Sequence, residues 1–157
     1  MKKILALICA LLTAVVLMAQ EPEKISVEDF FDKYSGAPGT ESTLLNGGTL
    51  KVLASKKGVS KTTAKLLKSL DRIWAISATS DNEEFLEDAR MTTMSRKDYQ
   101  LISNTSREGA QASFYVSEKS PKSLILISTS YARYSYMEIR GEFNILDFGS
   151  LSEIGIR

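Results

Sequence analysis

Between Ala112 and Ile139 the chain alternates short apolar runs with polar breaks, a spacing that suits strands. Phe114 to Val116, Leu124 to Ile127 and Tyr134 to Ile139 are rich in β-branched and aromatic residues, which fit a pleated surface. The break at Glu118-Lys119-Ser120-Pro121 places a proline in a turn, where its missing N–H harms no central ladder. The break from Ser128 to Arg133 holds neither Gly nor Pro, so pattern alone leaves that turn and its register open. Leu124-Ile125-Leu126-Ile127 is apolar at every position, which predicts a central strand covered on both faces.

Upstream, the period changes. Ser26 as N-cap, Glu28 and Asp29 in a first turn, and Phe30, Phe31 and Tyr34 on one side predict a helix that stops at the Ser35-to-Gly39 loop. Thr40 to Leu45 reads as a short strand, after which Asn46-Gly47-Gly48 breaks the chain and Leu50, Leu53 and Ala54 recur at helical spacing. Ser60 caps a second helix with Ala64, Leu66, Leu67 and Leu70 as its buried stripe. Arg72 to Ser77 reads as a buried strand, with Trp74 a core side chain. Ser80 or Asp81, with Glu83 or Glu84 three residues on, caps a helix carrying Phe85, Leu86, Ala89 and Met94. A strand from Lys97 to Thr105 and a hairpin turn at Arg107-Glu108-Gly109 lead into the strands above. Arg140-Gly141-Glu142 closes the last strand, and Phe143 to Ile154 suggests a short terminal helix. The expected class is α+β: an antiparallel sheet with helices packed mainly on one face.

The first nineteen residues follow a different logic. Met1-Lys2-Lys3 is a positive head, Ile4 to Met18 is apolar apart from Thr13, and Ala19 offers a small residue before Gln20-Glu21-Pro22. Such an apolar run is shorter than the roughly 20 residues needed to span a bilayer as a helix, and it reads as a secretory signal peptide. We therefore expect a signal over 1–19 and a single α+β domain over 20–157, exported to the periplasm or the cell exterior. Cys9 lies inside the apolar run after Ile8 rather than after a small residue, which argues against a lipoprotein.

Composition then narrows the chemistry. Removing the signal takes away Lys2 and Lys3, so 18 of the 20 basic side chains remain against 19 acidic ones, a formal net charge of −1. A nearly neutral domain has no electrostatic reason to bind nucleic acid. The sequence has no histidine, and its one cysteine leaves with the signal. That excludes a Ser-His-Asp triad, a thiol nucleophile, an ordinary zinc site and a haem histidine, and no cofactor or metal is expected. The lysines at 51, 56, 57, 61, 65 and 68 read as a solvated helical face.

Alternation in the last strand sets Tyr134, Tyr136, Glu138 and Arg140 on one side and Ser135, Met137 and Ile139 on the other. If helices cover only the second side, two tyrosines and an arginine, residue types favoured at contact centres, stand on an open surface. These four residues are the expected binding face of a non-catalytic envelope protein that joins an envelope partner or forms a homo-oligomer. The alternative is a carboxylate-dependent hydrolase or lyase acting on envelope glycans, resting on Glu83, Glu87 and Asp88. Acids on the first turns of a helix ordinarily serve capping and the dipole.

From the leucine-rich helix into Leu70-Asp71-Arg72-Ile73, through Tyr99-Gln100-Leu101 and Ser123 to Ile127, to Glu138-Ile139-Arg140-Gly141-Glu142-Phe143-Asn144-Ile145, the chain resembles a family of small exported Bacteroidetes proteins built on a domain of unknown function, DUF4252. The resemblance runs from Leu66 to Ile154. It implies export by a Gram-negative bacterium and brings no catalytic residues with it.

Overall fold

The computed structural model describes residues 25–94 and 96–148. The proposed signal and the distal part of the expected terminal helix lie outside them. Ten elements follow one another: α1 (Val27–Tyr34), β1 (Thr40–Asn46), α2 (Gly47–Ala54), α3 (Lys61–Ser69), β2 (Leu70–Thr79), α4 (Glu83–Met94), β3 (Gln100–Arg107), β4 (Ala110–Ser117), β5 (Lys122–Thr129) and β6 (Arg133–Gly141). The strands form one sheet in the order β1-β2-β6-β5-β4-β3, antiparallel throughout. The fold is thus α+β on an antiparallel sheet. β3 to β6 form a meander that starts at the far edge and returns to β2, and α4 carries the chain out to that edge.

The caps explain where the helices begin. Ser26 accepts from the Asp29 N–H at 2.9 Å and Ser60 from the Thr63 N–H at 3.1 Å. Asn46 accepts from the Thr49 N–H at 2.9 Å, so the Asn-Gly-Gly segment starts α2 rather than merely breaking the chain. Asn82 caps α4 by accepting from the Phe85 N–H at 3.0 Å, in place of the expected Ser80 or Asp81. The β3–β4 turn is the two residues Glu108 and Gly109, both at positive φ, the hairpin geometry whose twist matches the flanking strands. Past β6 the chain makes a short 3₁₀ turn over 145–148.

The helices do not gather on one face. α1 and α4 lie on the side that carries Ile76, Ala78, Ile125, Ile127 and Tyr136. α2 and α3 lie on the other, over Ile73, Val116, Leu124 and Ile139. Helical spacing shows which side of a helix is apolar but carries no information on which sheet face that side meets. β5 matches its reading: Leu124, Ile125 and Ile127 are buried, two cores meeting across one strand.

The first core is aromatic. Phe30 and Phe31 of α1 are fully buried, Phe30 lying 4.7 Å from the ring of Tyr136 and 5.1 Å from that of Phe85. Phe31 stacks on Trp74 at 3.9 Å, which packs Trp74 against the core as a half-buried side chain. Burial of each phenylalanine contributes about 1.5–3 kcal/mol. Lys33 reaches from α1 to Glu84 and Asp88 of α4, both at 2.7 Å, and the Tyr34 hydroxyl donates to Asp88 at 2.7 Å.

Burial first, then the hydrogen bond to Asp88, pushes the Tyr34 phenol from the ordinary 10 up to about 12. Burial likewise raises Tyr136 and Tyr99. All three phenols hold their protons more tightly folded than unfolded, and for Tyr34 the stability this carries is complete below pH 10 and is lost as pH rises from 10 through about 12. In an alkaline titration the core tyrosinate absorbance should therefore appear together with loss of the circular-dichroism signal. Full ionisation near pH 10 with the fold intact would contradict this core.

Candidate functional site

The four residues singled out on β6 share one face, but it is the face beneath α1 and α4. Tyr136 is fully buried, its hydroxyl accepting from Thr92 at 3.0 Å. Tyr134 is half-buried and donates to Glu83 of α4 at 2.8 Å. The premise of an open tyrosine surface is therefore corrected: the tyrosines pack under helices, and Tyr136→Ser would hollow the core rather than edit a surface. Glu138 and Arg140 continue the same face past the end of the helical cover, and there the chain forms a polar cleft of about 190 Å³.

Three regions wall this cleft: the start of α1 at Val27 and Glu28, the segment from Arg96 to Tyr99, and the β4–β5 turn through Ser120 and Pro121. Alternation in paired strands brings Ser123 of β5 and Glu138 of β6 to its floor. Glu138 is only 3 % exposed, so its charge needs partners. Arg72 supplies them through Nε at 2.8 Å and a terminal nitrogen at 2.6 Å, and the Ser123 hydroxyl donates to the other oxygen at 3.1 Å. Arg72 also bonds Glu28 at 2.9 Å, tying α1 to the sheet. Burial alone would raise the Glu28 carboxyl, but the Arg72 hydrogen bond, a backbone hydrogen bond and the charges of Arg72 and Arg140 together outweigh it and hold the group below its ordinary value. Desolvation opposes the Arg72 charge, yet its two carboxylates leave it more firmly protonated than usual.

Chemically the cleft brings carboxylates, cationic side chains and hydroxyls together. The floor carboxylate is held by Arg72, and at the rim the Ser120 hydroxyl donates to the exposed Glu142 carboxylate at 2.5 Å. Of the acids weighed for catalysis, Glu83 accepts from Tyr134 of β6, and Asp88, with its neighbour Glu84, binds Lys33 and docks α1 onto α4. Glu87 is exposed on the outer side of α4. Among the described residues no group of carboxylates is arranged to hold a metal ion, and no helix is long and apolar enough to cross a membrane.

A second feature escaped sequence reading. All eight residues of β3 are exposed, and β3 is the edge of the sheet. Leu101 and Ile102 are 54 % and 43 % exposed, and no charged residue occurs from Gln100 to Ser106. The apolar content of Lys97 to Thr105 pointed to a strand, but only strand order shows that one side of it is unpaired.

Architecture and cleft together define a class: a small α+β domain with a two-sided core and a polar cleft at one end of its sheet. The chain belongs to the family described as Domain of unknown function (DUF4252), whose model matches residues 34–151. The match reaches further upstream than the resemblance read from Leu66, taking in β1, α2 and α3 and starting at the last residue of α1. Neither the curated proteins nor the solved structures include a match.

Proposed function

We propose that this protein is exported across the inner membrane of a Bacteroidetes cell and works in the envelope as a non-catalytic binding protein that joins a protein partner or itself. Support for export is the charged head and apolar run before Ala19. Support for binding is the β3 edge. An edge strand presents unpaired N–H and C=O groups, and proteins that do not use such an edge guard it with charge, proline, bulges or cover. β1 is guarded in this way: Glu41 is clamped by Arg133 at 2.6 and 2.9 Å. β3 has a bulge between Leu101 and Ser103 and no charge before Arg107.

The occupant that suits β3 best is a second copy of the chain. Two β3 strands running antiparallel about a two-fold axis at Asn104 set Asn104 opposite its own copy, Ser103 opposite Thr105 and Arg107 opposite Leu101, so no like charges meet. The chain from Gln20 onward should sediment as a dimer at micromolar concentration. Ser103→Lys with Asn104→Lys crowds four ammonium groups at the axis and should leave a monomer that still melts cooperatively, its midpoint no longer dependent on concentration. A wild-type chain that stays monomeric, or a doubly substituted one that dimerises as well, would exclude self-pairing through β3.

A further inference from the structure

The polar cleft has cationic groups that its own carboxylates engage only at long range or not at all. Arg72 satisfies Glu138 and Glu28, but Arg140 comes no nearer to Glu28 than 3.9 Å, beyond hydrogen-bond reach. Arg96 lies 5.9 Å from the Tyr99 ring centre and forms no ion pair among the described residues. Lys119 meets Asp98 only at 3.5 Å with its side chain 76 % exposed. These three cations come from three separate segments, and the Ser117 and Ser123 side chains, both largely buried, line the same space.

We infer that this cleft binds the carboxylate group of a small ligand or of a chain end, with Arg140 and Arg96 as its principal partners. Charge selects the class. The lining holds Arg96, Lys119 and Arg140 against Glu28, Asp98 and Glu138, and Arg72 behind them adds one positive charge. One monoanion therefore leaves the site neutral, whereas a phosphate dianion leaves it negative beside three carboxylates. Guanidinium groups match the planar two-oxygen geometry of a carboxylate. A volume of about 190 Å³ exceeds the share of one water in the liquid, about 30 Å³, several-fold, enough for a carboxylate and a few attached heavy atoms. This inference is independent of β3 and stands or falls separately from the proposed self-association.

The test is a nuclear magnetic resonance titration of the isotopically labelled chain from Gln20 onward at fixed ionic strength. The probes are acetate, N-acetyl-glycyl-glycine, the same dipeptide as its C-terminal amide, and inorganic phosphate. Saturable shifts of the Tyr99, Ser117, Ser123 and Arg140 amides are expected with both carboxylates and not with the amide. Phosphate should bind at least about ten-fold more weakly than the preferred carboxylate. Tighter binding of the dipeptide supports the site with a polypeptide terminus as its source, and equal or tighter binding of acetate supports it with a free small acid. Arg140→Gln and Arg96→Gln should each weaken binding by about ten-fold or more, with Arg140→Lys in between and melting curves unchanged. No saturable shift below about 50 mM, equal shifts from acid and amide, preference for phosphate, or indifference to both arginine substitutions would overturn the assignment.

Discussion

Gly141→Ala is expected to destabilise the domain by about 3–5 kcal/mol, because it adds backbone strain to a clash that has no easy escape. Gly141 closes β6 at φ +152°, where side-chain-bearing residues are rare. A Cβ there would stand 2.5 Å from the Ser69 carbonyl oxygen and 2.6 Å from the Leu70 Cα. Both obstacles are backbone, and the Ser69 carbonyl is fixed by the Glu142 N–H at 2.9 Å. The two chains meet this closely because the β2–β6 ladder bulges between Leu70 and Arg72, just where α3 hands over to β2. Urea denaturation measures the loss directly, and a change under about 1 kcal/mol would show that the α3–β2 junction moves aside freely.

The second large effect belongs to the cleft floor. Arg72→Leu is expected to cost about 3–5 kcal/mol, since it strands the Glu138 carboxylate in a nearly closed site. The loss reaches α1 as well, because Glu28 shares the same guanidinium. Changing both partners, Arg72→Leu with Glu138→Leu, removes the orphaned charge and should recover most of the stability. A double-mutant cycle by denaturation separates these cases. If Arg72→Leu alone were as stable as the wild type, the pair would be a surface contact and the cleft would lose its rigid floor. Because Glu138 is thus held as part of the scaffold, the donors facing an incoming group are those of Arg96, Lys119 and Arg140.

Much of the architecture was written in local pattern. The caps at Ser26 and Ser60, the aromatic side of α1, the four-residue apolar run of β5 and the Glu108-Gly109 turn each follow from interactions within a few residues of one another. The cleft was half legible. Alternation put Glu138 and Arg140 on one face of β6 together with the tyrosines, and the structure keeps them there. Arg72, Ser123 and Arg96 were not legible, because they reach the site from β2, β5 and the segment after α4.

On its own, the amino-acid sequence determined what each segment becomes and which chemistries its side chains rule out, because turn preference, capping and strand alternation act over short distances along the chain. Only the tertiary structure decided which sheet face each helix covers, that Tyr134 and Tyr136 are packed beneath α1 and α4, and that β3 ends the sheet as an exposed edge. Those outcomes depend on strand order and on side chains meeting across dozens of residues, as Arg72 meets Glu138 from a neighbouring strand. Such contacts are set by the closing of the whole sheet, and no local spacing encodes them.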